Sequence, residues 1–182
     1  MEILAFTLSV ICVLLSAYGK RLTWPLAIAS SATYAIVFAE VRLFGDAALQ
    51  LVFIALAIYG WMCWKPNHPH IKQVSDVPHA ILPWLIAAWI GLHTAIYLLL
   101  VRYTSSDVPQ SDAFLTAASL IATYMSARKW RQNWWIWGIA DTLYIMLYMY
   151  KNLYITALLY GLFVILCLIG WREWTAQMHQ KS

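Results

Sequence analysis

The chain has 182 residues, of which 63% are hydrophobic, 15% aromatic and 11% charged. A soluble domain carries roughly 25% charge, so this composition is that of an integral membrane protein read as one domain. The net charge of +4 comes from basic residues dispersed in short loops, which argues against nucleic acid as a partner, and the three cysteines form no CxxC pair, which argues against a disulfide framework or a zinc site.

The first apolar segment runs from about Ile3 to Tyr18. It opens on "MEILAFTLSV", with Glu2 where a signal peptide has its basic region, so no cleavage is expected. The second and third run from about Thr23 to Ala39 and Phe44 to Trp64, and Glu40 and Asp46 between them are expected to be solvated. The longest connection, "KPNHPHIKQVSDVPH", follows. His68 and His70 within it make a weak metal site, because no third ligand stands at suitable spacing. The fourth segment, about Ile81 to Val101, holds His93, read as packed or hydrogen-bonded. The fifth, sixth and seventh run from about Asp112 to Met125, Trp134 to Tyr150 and Leu153 to Trp171. Most approach the roughly 17–25 residues of a spanning helix, the first and fifth being short. Cys12, Cys63 and Cys167 each fall in a different span and read as small buried hydrophobes.

Seven spans place the termini on opposite sides. One side receives nine basic residues, Lys20, Arg21, Lys65, Lys72, Arg128, Lys129, Arg131, Arg172 and Lys181; the other receives three, Arg42, Arg102 and Lys151. Basic residues favour the cytoplasmic side, so the N-terminus is expected outside and the C-terminus inside.

Sliding the chain by 110 residues aligns Glu2–Trp64 with Asp112–Trp174 without a gap. Identical pairs include Ser9/Ser119, Arg21/Arg131, Trp24/Trp134, Tyr34/Tyr144, Phe53/Phe163, Gly60/Gly170, Trp61/Trp171 and Trp64/Trp174. The expected architecture is therefore all-α: seven transmembrane helices in two parallel three-helix repeats, residues 1–64 and 112–174. Residues 65–111 supply a loop, a linker helix and an outer loop, and 175–182 form a cytoplasmic tail. Transporters built this way hold their substrate near the midplane between repeats. Positions shared by both repeats are expected to serve the fold, and positions that differ to serve an asymmetric ligand.

On the sixth span, Trp134, Trp137, Asp141, Tyr144 and Tyr148 are spaced 3, 4, 3 and 4 apart. Such positions share one helical face and climb about 21 Å at roughly 1.5 Å per residue. An acid cannot face lipid cheaply, so the face is expected to look into the bundle. Aromatic rings with one carboxylate suit a small organic cation, and a flat heteroaromatic ligand would stack on the indoles. Trp137 and Asp141 break the repeat, standing opposite Ala27 and Ser31, and are the strongest binding candidates. Trp134 and Tyr144 match Trp24 and Tyr34, leaving interfacial or packing roles open beside binding. The alternative for Asp141 is a structural hydrogen bond to a neighbouring hydroxyl. Gln50, opposite Tyr160, is a candidate for binding or for interhelical hydrogen bonding. Asp112 and Thr116 begin the fifth span, where an acid also suits the helix dipole.

The stretch "ARKWRQNWWIWGIADTLYIMLYMYKNLYITALLYGLFVILCLIGWREW" resembles the C-terminal half of the PnuC family of bacterial vitamin transporters, and "LQLVFIALAIYGWMCW" the end of its first repeat. The family's W-x-x-W-x-x-x-N/D motif is matched by Trp134, Trp137 and Asp141. The resemblance covers nearly the whole chain. It implies a 3+1+3 plan similar to SWEET sugar transporters, and facilitated diffusion of a vitamin across the bacterial cytoplasmic membrane with no cofactor, ATP or coupled ion. The implied partners are the vitamin, the bilayer and a cytoplasmic kinase that phosphorylates the vitamin; a homo-oligomer is left open. Two positions depart from the nicotinamide riboside carriers. Asp141 replaces Asn, and Ala57 stands where Asn is frequent. Nicotinamide riboside and thiamine, both cations, are thus both open as substrate. A non-transporting seven-helix receptor and an intramembrane enzyme are the rival classes. The second would need a nucleophile–base pair, a metal set or a phosphate-binding loop, and the sequence offers none of these.

Overall fold

A computed structural model describes residues 2–40, 44–66, 73–104, 108–150, 152 and 154–179, with the side chains of 2–8, 37–38, 44–46 and 155 left aside. Arg42, Lys72, Lys151, Lys181, the loop histidines His68 and His70, and the side chain of Asp46 lie outside the described residues.

The described residues form seven α-helices: α1 (Glu2–Ala17), α2 (Thr23–Glu40), α3 (Phe44–Cys63), α4 (Leu82–Tyr103), α5 (Pro109–Ala127), α6 (Asn133–Tyr150) and α7 (Tyr154–His179). Two boundaries differ by three residues or more from those expected from hydropathy. α5 begins at Pro109, ahead of Asp112, because proline at a first helical position gives up no hydrogen bond the helix would have made. α7 continues past Trp171 to His179, and the fully buried Trp174 anchors that extra length.

The ends of α1 and α5 are built alike. Gly19 (φ +65°) donates its N–H to the Ser16 carbonyl at 3.0 Å, and Lys20 donates to Leu15 at 2.7 Å. Lys129 (φ +56°) donates to Ser126 at 3.0 Å, and Trp130 to Met125 at 3.0 Å. This is the left-handed cap that closes a helix by satisfying its last carbonyls.

α2 packs on α3 and α1, α6 on α7 and α5, α1 on α7, and α3 on α5, while α4 lies against α5. The helix pairs are locked by tryptophan. A Cβ at Gly60 would fall inside the Trp24 indole, and one at Gly170 inside the Trp134 indole, so each glycine is the seat of a ring. Trp24 meets Trp64 edge-on at 5.4 Å and Trp134 meets Trp174 edge-on at 5.5 Å. The Arg21 guanidinium lies 3.6 Å over Trp61 and that of Arg131 4.7 Å over Trp171. Trp64 and Trp174 meet at 6.0 Å. The Trp64 N–H donates to the carbonyls of Ser126 and Ala127, and the Trp174 N–H to the carbonyl of Ser16, each at 3.2 Å.

The exterior is apolar. Along α4 Leu85 is the buried residue, while Trp84, Ile86, Ile90, Leu98, Leu99 and Val101 face outward. Continuous apolar surface on this scale suits lipid. α4 and the Thr156–His179 part of α7 have the length and mean hydropathy, 1.9 and 1.5, of spanning helices. The segment ahead of α4 is pinned to the α5–α6 turn. Ser75 bridges to Trp130, and Asp76 accepts from Arg131 at 2.6 and 3.2 Å and from Gln132 at 2.6 Å. His93 packs between Trp89 and Tyr97 and lies 3.2 Å from the Gln110 amide, a packed and hydrogen-bonded histidine as its sequence context suggests.

Candidate binding cavity

A cavity of about 390 Å³ opens among α1, α2, α3, α5, α6 and α7. Its walls repeat at the offset of 110. α1 supplies Ser9, Val13 and Ser16 where α5 supplies Ser119, Thr123 and Ser126. α2 supplies Trp24, Ala27 and Ser31 where α6 supplies Trp134, Trp137 and Asp141. Phe53 of α3 answers Phe163 of α7. The 3-4 spacing of these positions on their helices is what brings each set to one face.

Three of these matched pairs differ, and in each the larger or more polar side chain belongs to the second repeat. Trp137 puts an indole where Ala27 leaves space, Asp141 puts a carboxylate where Ser31 has a hydroxyl, and Thr123 replaces Val13. Asp141 is the one carboxylate in the described lining, and no Lys, Arg or His joins it there. It is buried, 5% exposed. Its hydrogen-bonding neighbour is the Cys167 thiol at 3.6 Å, not the hydroxyl of the structural alternative. Near the α1–α2 turn, Thr23 donates to the Cys12 carbonyl at 2.9 Å, and the Cys12 sulfur lies 3.3 Å from the Thr23 hydroxyl. Cys12 and Cys167 thus take part in polar contacts on the cavity wall, whereas Cys63 is buried outside it.

Of the residues expected at a site, Trp134, Trp137, Asp141 and Tyr144 line the cavity together. Gln50, Tyr148, Asp112 and Thr116 are half-buried and stand outside that lining. Tyr148 extends the α6 stripe one turn too far. Its ring packs on Tyr144 at 6.0 Å and on Tyr160 at 5.2 Å, behind the wall they make. Asp112 and Thr116 overshoot in the same way, since the α5 face continues from them through Ser119, Thr123 and Ser126 toward the cavity. At the Gln50/Tyr160 pair the cavity uses the tyrosine. Tyr160, Trp24, Cys167 and the serines of α1, α2 and α5 are lining residues that sequence patterning does not single out. The 110-residue offset carries a signal for Ser119, Ser126 and Trp24, but identity between repeats points first to the fold.

Chemically, the cavity offers flat aromatic walls, a girdle of hydroxyls and a single carboxyl group on one side. Residues 1–176 match the family described as nicotinamide mononucleotide transporter. The chain belongs to that family. Among its relatives, the nicotinamide riboside transporter PnuC of Escherichia coli (strain K12) is 24% identical over 200 residues, covering 94% of this chain and 83% of that one. The riboflavin/roseoflavin transporter RibM of Streptomyces davaonensis is 27% identical over 167 residues, covering 88% of this chain and 77% of the relative. The crystal structure of the vitamin B3 transporter PnuC shares the fold, with a TM-score of 0.75, 20% identity, and coverage of 98% of this chain and 81% of the other. This member of the nicotinamide mononucleotide transporter family is an integral membrane transporter, not an enzyme.

Proposed function

We propose that the chain carries a small cationic vitamin, nicotinamide riboside or thiamine, into a bacterial cell by facilitated diffusion. The observation that carries this reading is Asp141, one buried carboxylate facing a cavity with no lining cation among the described residues and with Trp134 and Trp137 on the same helical face. A positively charged ring held there gains a countercharge and a cation–π contact of about 0.5–2 kcal/mol, while the serine hydroxyls suit ribose or pyrimidine polar groups. Similarity to nicotinamide riboside transporters favours that vitamin. The carboxylate at 141 favours thiazolium equally.

The working arrangement is a 3+1+3, SWEET-like one: α1–α3 and α5–α7 as parallel repeats about an axis along the membrane normal, with α4 as linker. The duplicated caps, glycine seats and arginine–tryptophan contacts support it, as does contact between the equivalent residues Trp64 and Trp174, which a two-fold axis passing between them requires. The basic-residue asymmetry supports a cytoplasmic C-terminus in the inner membrane. A cytoplasmic kinase that phosphorylates the vitamin would make uptake one-way.

The RibM relative favours a second reading, in which the cargo is an uncharged flavin. Uptake of labelled nicotinamide riboside, thiamine and riboflavin into liposomes holding the purified protein, without ATP or an ion gradient, separates the two. One of the cations should equilibrate with the interior. Flux of riboflavin alone would replace the first reading by the second, and no flux of any vitamin would overturn both.

A further inference from the structure

We infer that Cys167 is a positioning residue: its thiol holds the Asp141 carboxylate at the angle from which it meets a cationic substrate, so preference for charge resides in the pair and not in the acid alone. This rests on the transport reading above. The Cys167 Sγ donates to Asp141 Oδ2 across 3.6 Å, joining α7 to α6. Both residues are 5% exposed and both line the cavity.

The two repeats supply an internal comparison. Asp141 and Cys167 correspond to Ser31 and Ala57. Where the acid stands, a donor stands beside it, and where the acid is absent so is the donor. The cavity also presents both halves to a ligand, since Ser31 lines it opposite Asp141. Gly138, one turn before Asp141, has no side chain to intervene, and a Cβ there would touch the Cys167 Cβ at 3.7 Å.

A thiol is a particular choice of partner. It is a weak donor, so it fixes the carboxylate rotamer without neutralising it as a lysine or arginine would. One oxygen is oriented, and the charge stays available to a ligand. The residue is small and apolar enough to pack in a helix interface.

The test uses purified protein in liposomes, with Cys167→Ala run beside the unsubstituted protein as the control for thiol modification at Cys12 and Cys63. The ligands are whichever cation the wild type carries and its neutral isostere, dihydronicotinamide riboside or deazathiamine. Cys167→Ala should raise KM for the cation by about three- to tenfold, as expected for one lost hydrogen bond from a weak donor, and leave KM for the neutral isostere unchanged. Cys167→Ser, which keeps a donor, should restore most of the difference. Methyl methanethiosulfonate, which converts the thiol to a methyl disulfide and removes its proton, should reproduce the alanine phenotype in the Cys167 protein. Dithiothreitol should reverse it, and saturating cation should slow the modification. Unchanged KM for both ligands in Cys167→Ala, or an equal loss for both that serine fails to restore, would overturn the positioning role. Failure of the transport reading is visible separately, because the unmodified protein would then move neither ligand.

Discussion

At the scale of single residues, the informative positions are those at which the second repeat departs from the first. If Asp141 supplies countercharge, Asp141→Asn keeps shape and a hydrogen-bonding carbonyl but removes the charge. Loss of a charged contact of this kind costs about 1.5–3 kcal/mol, or roughly ten- to a hundredfold in affinity. Calorimetric titration should show that loss for nicotinamide riboside or thiamine and a smaller one for the neutral isostere. Equal losses would reduce Asp141 to a structural acceptor. Trp137→Phe should cost less in the same titration, because a smaller ring still stacks on the ligand. Asp141 and Trp137 are legible in the sequence because an acid in an apolar span is costly unless it faces a cavity or a partner, and because neither residue recurs in the first repeat. Tyr160 and Cys167 are not. A tyrosine or a cysteine in an apolar helix costs little wherever it points, so its sequence carries no sign of direction. Only the packing of α7 on α6 brings them to the wall.

At the scale of helices, spacing determines which residues share a face but not how far along that face the cavity reaches. The 3-4-3-4 stripe of α6 brings Trp134, Trp137, Asp141 and Tyr144 to the cavity lining, then runs one turn past it to Tyr148. Tyrosine rings from α6 and α7 fill the space there, with Tyr144 and Tyr160 at 4.8 Å, and side-chain volume across an interface cannot be read from one helix alone. Helix contact itself depends on the glycine seats. Gly170→Ala would drive a methyl group into the Trp134 indole and force α7 away from α6. Overpacking of this kind costs about 1–3 kcal/mol, so a lower melting temperature in detergent, together with weakened binding, is expected. An alanine variant as stable as wild type would mean that the ring can move aside freely. The helix ends give a cleaner test. Gly19 sits at φ +65°, where alanine is strained, and nothing but the Gln177 side chain lies near its would-be Cβ. Gly19→Ala should therefore destabilise by about 1–2 kcal/mol through the backbone alone, measured by thermal unfolding, with ligand affinity unchanged. The second repeat tolerates Lys129 in the same conformation, with its ammonium 5.0 Å from the Trp64 ring.

For the whole molecule, the seven helices of the described residues and their order are readable from hydropathy, and the likeness of residues 2–64 to 112–174 from matched Trp, Gly and Arg positions. The cross-connections are not readable. Trp64 reaches the α5 carbonyls and Trp174 the α1 carbonyl, contacts between groups 62 and 158 residues apart that no local pattern encodes. These contacts gather at one end of the bundle, where α1, α3, α5 and α7 finish and α2, α4 and α6 begin. The same end carries Lys20, Arg21, Lys65, Arg128, Lys129, Arg131 and Arg172 in its turns and helix ends. Arginine and lysine are retained on the cytoplasmic side of a membrane during insertion, so this tryptophan-rich end should face the cytoplasm and the end holding Arg102 should face outward. Four of these cations are themselves built into the fold, Arg21 on Trp61, Arg128 on Trp130, Lys129 on Trp64, and Arg131 on Trp171 and Asp76, and reversing the molecule would carry that whole set across the bilayer. A cysteine at Ser182, in a chain whose three native cysteines are replaced, should resist an impermeant thiol reagent in intact cells and react once the membrane is opened. A second cysteine at the outward-facing Tyr103 should show the opposite pattern. Ready labelling at 182 with protection at 103 would invert the orientation.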